Sequence, residues 1–396
     1  MIQSSDSIEG SGFPLTFAVH DGATRLAVMR GVPGHDVIRV EARAMGGHQK
    51  EAVLTEGADG LAWRIASDEG PGLGGSDLAP FPLGFFNVAE QLDLVGAVAR
   101  LAAARGIRLD LLTSTCANHY VSEGSFVQGT GRGWGEAPHV GLAIQTSAPA
   151  SAIVELVRDA VRVSPVLALI SRTLANTFAL YVNGKRTGVT SMPASEAADV
   201  VDPLKAYAGV PKPMGDAPAE PLIVKVAVAH PPEVPKPVPG TGRVDIHVNG
   251  QGTLANGHSL AQAETWLRMA PVSRFAMRAD TSIEGGRAPT PIGLGLAGVA
   301  FCYLTQLLRY SEYRKYRVRA VRLVQLARVG LAAGATGLRA EASPLDTHLF
   351  VHAEEPDAVM QELLALGATR CYLHASLVAA LTTQVELSVN GVTVPI

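Results

Sequence analysis

The chain has 396 residues, of which 47% are hydrophobic and 17% are charged, and its formal net charge is -3. This length exceeds that of a usual single domain, so at least two domains are expected, and the charge balance offers no basic field for nucleic acid. No apolar run approaches the roughly 20 residues of a membrane span, and the N-terminus has no signal-peptide pattern. We therefore expect a soluble, cytoplasmic protein with no nucleic-acid or membrane partner.

The first half of the chain begins with alternating apolar residues at 17–28 and 37–42, which predict strands. Residues 83–104 then form an almost wholly apolar run, and a run of that length predicts a buried helix rather than a strand. A second helix is predicted over residues 151–163, because the proline in front of it loses no hydrogen bond in a first helical turn.

The second half follows a proline-dense stretch at residues 203–239, whose polyproline geometry predicts a semi-rigid connector. Residues 292–310 repeat the long apolar helix, and residues 357–366 form another helix behind a proline. A further short helix is predicted to begin at Cys371, because Gly367 ends the helix before it. The order of elements in the first half therefore returns in the second.

Two short passages also occur twice. The hexapeptide that begins at Ala79 returns with changes at Ala288, and the Asn-Gly turn at Asn183 returns at Asn390. The two passages keep nearly the same separation in both halves, which predicts a tandem duplication. We assign the first repeat to residues 1–200, the connector to 201–240 and the second repeat to 241–396.

The cysteines are three in number, and an odd number in a long chain favours free or reactive thiols in a reducing compartment. Cys302 lies in the second apolar helix, where a cysteine is most often a small buried hydrophobe. Cys371 stands at a predicted helix N-terminus, where unpaired amides and the neighbouring Arg370 could lower the pKa of its thiol. His374, one turn on, could accept a proton, although a helix cap beside a surface histidine is an equally good interpretation.

The spacing of Pro291, Cys302 and Cys371 resembles that of the OsmC/Ohr superfamily of thiol peroxidases. In that family a proline opens a long central helix, a cysteine follows 11 positions later, and a second cysteine starts a later helix. Counting from each landmark, Asp93 and Ser164 stand in the first half where the second half has its two cysteines.

The resemblance implies an α+β fold. It implies two tandem OsmC-like units, whose antiparallel sheets wrap around long central helices to form an intramolecular pseudo-dimer. Members of the family are intertwined homodimers with active sites at the interface, so this chain would hold one complete cysteine site and one vestigial site at Asp93 and Ser164.

The resemblance also implies a reaction. The thiolate of Cys302 would attack a hydrophobic organic hydroperoxide and become a sulfenic acid, and Cys371 would condense with it to a disulfide. A cellular dithiol would reduce that disulfide. The expected partners are the hydrophobic substrate, this reductant and a further copy of the chain as a homo-oligomer, and no cofactor or metal is expected.

The chain departs from the family at two points. The family places a glutamate directly after the helix-opening proline, whereas this chain has Ile292 and Leu83 there. The glutamate normally pairs with an arginine that activates the thiol, and Arg243 and Arg287 are candidates for that arginine only by their rough location.

The departures favour two alternatives. One is a cysteine-dependent hydrolase, in which Cys302 or Cys371, helped by His374, attacks the carbonyl of an apolar ester, thioester or diketone. The other is a non-catalytic protein that binds a hydrophobic ligand in an apolar cavity between the repeats.

Two further pairs carry less weight because both lie on predicted strands. Cys116 and His119 are three residues apart, so they point to opposite faces of a strand. His348 and His352 share a face but lie roughly 13 Å apart, too far to chelate one ion. We expect neither pair to form a site.

Overall fold

The computed structural model describes residues 6–19, 35–56, 61–125, 128–207, 213, 220–227, 242–255, 258–268, 272–282, 286–334 and 337–396. Much of the predicted strand at residues 17–28 and of the predicted connector lies outside these ranges. Within them the chain is a mixed α+β protein, as predicted, with several helices and two sheets.

The helices that the structure describes are α1 (Ile8–Ser11), α2 (Pro82–Ala104), α3 (Ala150–Arg162), α4 (Pro165–Ile170), α5 (Leu204–Tyr207), α6 (Pro291–Tyr313), α7 (Asp357–Arg370) and α8 (Tyr372–Val378). The strands are β1 (Thr16–Val19), β2 (His35–Ala44), β3 (Lys50–Glu56), β4 (Leu61–Ser67), β5 (Leu111–Glu123), β6 (Arg132–Gly135), β7 (His139–Gln145), β8 (Thr177–Val182), β9 (Lys185–Thr187), β10 (Ile223–Ala227), β11 (Val244–Thr253), β12 (Leu260–Leu267), β13 (Arg274–Asp280), β14 (Val318–Gly334), β15 (Gly337–Ala342), β16 (Asp346–Ala353), β17 (Gln384–Val389) and β18 (Val392–Val394).

The two long helices, α2 and α6, confirm the prediction that the two apolar runs of the sequence are helical. Each begins with a proline at its first turn, after an extended residue, so the missing amide leaves no bond unmade. Helix α7 was predicted to end at Gly367, which is wrong: it continues to Arg370 because its backbone remains helical through the glycine.

Each sheet combines strands from both halves of the chain. The first sheet has the order β1-β4-β3-β2-β14-β16-β8-β9, with β15 paired to β14. The second has the order β10-β13-β12-β11-β5-β7-β17-β18, with β6 paired to β5. Most neighbours are antiparallel, but β16 pairs with β8, and β17 with β7, in parallel. The halves are therefore joined through long strand pairings, β2 with β14 and β5 with β11.

The core lies between the sheets, where α2 and α6 pack against each other. Helix α2 contacts strands of the second sheet, and α6 contacts strands of the first. The helices approach closely at Gly298, where a Cβ atom would lie 2.9 Å from the backbone oxygen of Pro82. The rings of Phe85 and Phe301 meet nearby, with centroids 5.5 Å apart. This packing fixes α6, which carries Cys302, and α2, which carries Asp93.

Helix α6 also corrects one expectation from the sequence. By length and composition it could cross a membrane, although no such run was predicted. Its most apolar 18-residue window is completely buried inside the protein, however, and the core helix of a soluble protein passes the same test.

Candidate functional site

The structure brings Cys302 and Cys371 together in the core. Cys302 lies in the middle of α6, and Cys371 is the single residue between α7 and α8. Both side chains are buried, and the two thiols are near enough to interact through a hydrogen bond and by charge. Residues that are far apart in sequence therefore form one thiol pair, as a two-thiol cycle requires.

Close packing of α7 on α6 positions this pair. Gly367 allows the approach, because a Cβ atom there would lie 2.7 Å from a methyl carbon of Leu307. The hydroxyl of Tyr303, the residue after Cys302, donates a hydrogen bond to the backbone oxygen of Leu364 over 3.0 Å. The helix that ends at the second thiol is thus anchored beside the first.

His374 is the third predicted site residue, and it lies beside the thiol pair. Its Nδ1 atom is 3.4 Å from the sulfur of Cys371, and its ring contacts Tyr303 and Phe178. Burial lowers the pKa of His374 to about 4, so the imidazole is neutral at pH 7. Among the described residues its Nε2 atom has no hydrogen-bond partner. A neutral ring that faces a thiol can accept the proton of that thiol.

The pKa of the Cys371 thiol is raised well above its usual value, so the lowering expected from the sequence is wrong. Burial is the largest cause, and the neighbouring Cys302 adds to it. The amides of Leu373 and His374, at the start of α8, act in the opposite direction but more weakly. The guanidinium of Arg370 turns elsewhere and donates to the backbone oxygen of Glu123 over 2.9 Å.

The walls of the site come from both halves of the chain. Tyr120 of β5 is buried, and its pKa is raised by burial and by the nearby Glu90 and thiols. Its ring lies 5.8 Å from that of Tyr372, the residue after the second cysteine. Phe178 of β8 packs against His374. Aromatic side chains around the thiols make the site apolar.

A buried carboxyl group, that of Glu90, packs against the core-facing side of β5. The sequence analysis did not identify it as part of the site. Glu90 projects from α2 and accepts a hydrogen bond of 2.7 Å from Asn118, while the sulfur of Cys116 lies 3.6 Å from the same oxygen. Burial raises the pKa of Glu90 to about 7, and among the described residues its other oxygen has no partner. An acidic residue within the apolar run at 83–104 was the available signal.

The first half holds a second pair at the positions that match the thiols. The hydroxyl of Ser164 donates a hydrogen bond to the carboxylate of Asp93, and the amide of Val166 donates to the same oxygen over 3.0 Å. The hydroxyl also accepts a hydrogen bond from the amide of Leu167 and so caps α4. Both residues are buried, so this pair is a structural link within the core.

A buried acid from strand β3 lies at the start of α6. Glu56 of β3 accepts hydrogen bonds from the amide and the hydroxyl of Thr290, each 2.7 Å long, directly before α6. Burial raises the pKa of Glu56 to about 7. Ile292, at the family's glutamate position, is buried and apolar, as is its counterpart Leu83.

The two candidate arginines, Arg243 and Arg287, form ion pairs with carboxylates. Arg243 pairs with Asp245 and with Glu123, and Arg287 pairs with Asp280. The ion pairs of both arginines are therefore with carboxylates rather than with an activated thiol.

Cys116 and His119 point in opposite directions from β5, as predicted. Cys116 faces the core, while both ring nitrogens of His119 face outward to Glu136 and Asp245. His348 is buried on β16 and bonded to its neighbours, and His352 on the same strand is exposed. No group of three or more metal-ligating side chains that could hold an ion occurs in the part of the chain that the structure describes.

The fold and the site together define a mixed α+β protein with a buried pair of thiols at its centre. One solved structure with weak similarity is an OsmC-like hydroperoxide resistance protein from Jannaschia sp. CCS1. It is 22% identical, the match covers 37% of this chain and 95% of that one, and the TM-score is 0.26. No protein-family model and no curated protein matches the chain. A similarity of this size leaves the function to be argued from the site.

Proposed function

We propose that this protein reduces hydrophobic organic hydroperoxides by a two-thiol cycle. The observation that carries the proposal is that Cys302 and Cys371 are both buried in an aromatic-walled core and are near enough for Cys302 to raise the pKa of the Cys371 thiol. When two cysteines lie close together, the sulfenic acid of one can condense with the thiol of the other to a disulfide without a large movement of the backbone. The apolar surroundings favour an apolar peroxide over hydrogen peroxide.

The architecture that supports this proposal is a tandem one. We propose that residues 1–200 and 241–396 are OsmC-like units, joined by residues 201–240, that form a pseudo-dimer. Each sheet takes strands from both halves, and the Asp93–Ser164 pair occupies the first-half positions that match the thiols. One complete site and one vestigial site would result.

The cycle conserves atoms and electrons. The sulfur of Cys302 attacks the outer peroxide oxygen, which breaks the O–O bond and gives an alcohol and a sulfenic acid. The thiol of Cys371 then displaces the sulfenic oxygen as water and forms a disulfide. A cytoplasmic dithiol returns both cysteines to thiols and is itself oxidised.

The test is peroxide oxidation of the reduced protein. One equivalent of cumene hydroperoxide should remove two thiols and lower the intact mass by about 2 Da, and Cys302→Ser should abolish both changes. Cys116→Ser is the matched control, because it removes the third buried thiol and should oxidise like the wild type. Survival of both thiols in excess peroxide would contradict the proposal.

The second candidate is cysteine-dependent hydrolysis, which the contact between His374 and Cys371 favours. A neutral imidazole could take the thiol proton while the sulfur attacks an ester, thioester or diketone carbonyl. Hydrolysis of a p-nitrophenyl ester should then be lost in Cys371→Ser and His374→Ala and leave the number of free thiols unchanged. Equal hydrolysis by wild type and Cys371→Ser excludes this candidate.

A further inference from the structure

An open cavity of roughly 550 Å³ lies away from the thiols, at the C-terminal end of α2. Its wall on the helix includes the small side chains of Ala99 and Ala103, whereas Gly96 is covered by Thr281, since a Cβ atom at Gly96 would lie 2.6 Å from the Cβ atom of Thr281. Leu112 and Leu254, from the first and second halves of the chain, form facing walls. Cavities of this size and apolar character are typical of sites for small molecules.

One cation lines this cavity without a carboxylate partner. Arg100 is only partly exposed, and one of its amino groups donates a hydrogen bond to the backbone oxygen of Thr281. Among the described residues no carboxylate lies within ion-pair distance of it. Asp110, which also lines the cavity, is already paired with Arg108 over 2.9 Å. Within the described part of the chain, Arg100 therefore places a guanidinium without an ion-pair partner beside apolar walls, and the nearest charge known to act with it is that of the buried Asp93.

The matching position of the second half carries a polar side chain that is bonded within the protein. Thr305 stands at the same distance from its helix-opening proline as Gly96 does, and its hydroxyl donates a hydrogen bond to Glu69. The buried Lys50 pairs with the same carboxylate over 3.2 Å. A buried cation and carboxylate are therefore paired with each other beside α6, whereas no ion pair of Arg100 occurs among the described residues.

We propose that the cavity binds an apolar carboxylate, with its hydrocarbon chain against the small and leucine side chains and its carboxylate on Arg100. A guanidinium matches a carboxylate with two parallel hydrogen bonds, and partial burial strengthens that pairing. This ligand site is separate from the thiol pair and independent of the proposed peroxidase cycle.

Calorimetric titration with octanoate and with octan-1-ol tests the proposal, because these probes share a chain and differ in charge. Octanoate should bind the full-length protein. Arg100→Gln should weaken octanoate at least tenfold and leave octanol unchanged, and Ala103→Trp should abolish binding of both by filling the cavity. Arg158→Gln, which removes an exposed arginine of α3, is the control and should bind like the wild type.

Absence of octanoate binding at millimolar concentration overturns the proposal, as does equal affinity in Arg100→Gln or binding that survives Ala103→Trp. Circular dichroism and thermal melts establish that each variant is folded. If Ala103→Trp does not fold, Leu254→Trp blocks the opposite wall and replaces it. Peroxide oxidation of the thiols should be unchanged in Arg100→Gln, which separates this site from the thiol site.

Discussion

The two interior pairs, Asp93 with Ser164 and Cys302 with Cys371, stand at matching places and differ in what they are bonded to. Each brings the middle of a long central helix together with the residue that directly precedes a later short helix. In the first pair the hydroxyl of Ser164 caps its helix, whereas Cys371 caps nothing through its side chain.

The difference separates a structural link from a reactive one. The carboxylate of Asp93 accepts from a hydroxyl and from a backbone amide, so it fastens α4 to α2. The thiol of Cys371 instead lies near Cys302 and 3.4 Å from the Nδ1 atom of His374, and it interacts with the amides of Leu373 and His374 without acting as a side-chain cap of α8. This difference supports the proposal that the chemistry belongs to the second pair.

The largest expected effect comes from separating the halves. Fragments 1–213 and 214–396 should not fold alone, because the pairing of β2 with β14 and of β5 with β11 would be lost in both. Co-expressed, they should assemble into a complex of one copy each, which size-exclusion chromatography and circular dichroism would detect. A fragment that folds by itself contradicts the intertwined arrangement.

The next effect is the pH dependence that Glu90 imposes beside the thiol site. Burial raises the pKa of Glu90 from 4.5 to about 7, so the unfolded chain loses this proton at lower pH than the folded chain. Its contribution to stability is therefore present below pH 4.5 and is lost as the pH rises to 7, by about 3 kcal/mol.

Glu90→Gln should remove this dependence. The difference in unfolding free energy between variant and wild type, measured by urea denaturation, should change by about 3 kcal/mol between pH 4.5 and pH 8 in favour of the variant. Glu155→Gln, at an exposed position of α3, is the control and should show no such trend. Parallel curves for Glu90→Gln and wild type would show that the carboxyl group titrates normally.

The sequence predicted the helices well and the sites in part, for physical reasons. The central helices could be predicted because a proline followed by a long apolar run is typical of a buried helix and too long for a strand. The thiol pKa was predicted in the wrong direction, because helix position is visible in a sequence and the depth of burial is not. Glu56 and Glu90 were missed because their roles depend on strand pairings between distant segments.

A smaller effect compares the two mid-helix residues directly. Asp93→Ala should lower the free energy of unfolding by about 2 kcal/mol, because it leaves two buried donors without an acceptor. Cys302→Ala removes one sulfur atom from a packed core and should cost about 1 kcal/mol under reducing conditions. Denaturation of both variants in the same buffer decides the order, and a larger cost for Cys302→Ala would reverse the assignment of roles.

The smallest expected change in stability concerns the two N-cap positions, Ser164 and Cys371. Ser164→Ala removes the hydrogen bond to the amide of Leu167 and should destabilise the protein by about 1 kcal/mol. Cys371→Ser places a hydroxyl where the short helix α8 has no side-chain cap, so the new hydrogen bond should offset the lost sulfur and leave stability within about 0.5 kcal/mol of the wild type. Thermal melts of both variants under reducing conditions make the comparison. If Cys371→Ser costs as much as Ser164→Ala, then the sulfur is itself a structural link, and the pair has the same role in both halves of the chain.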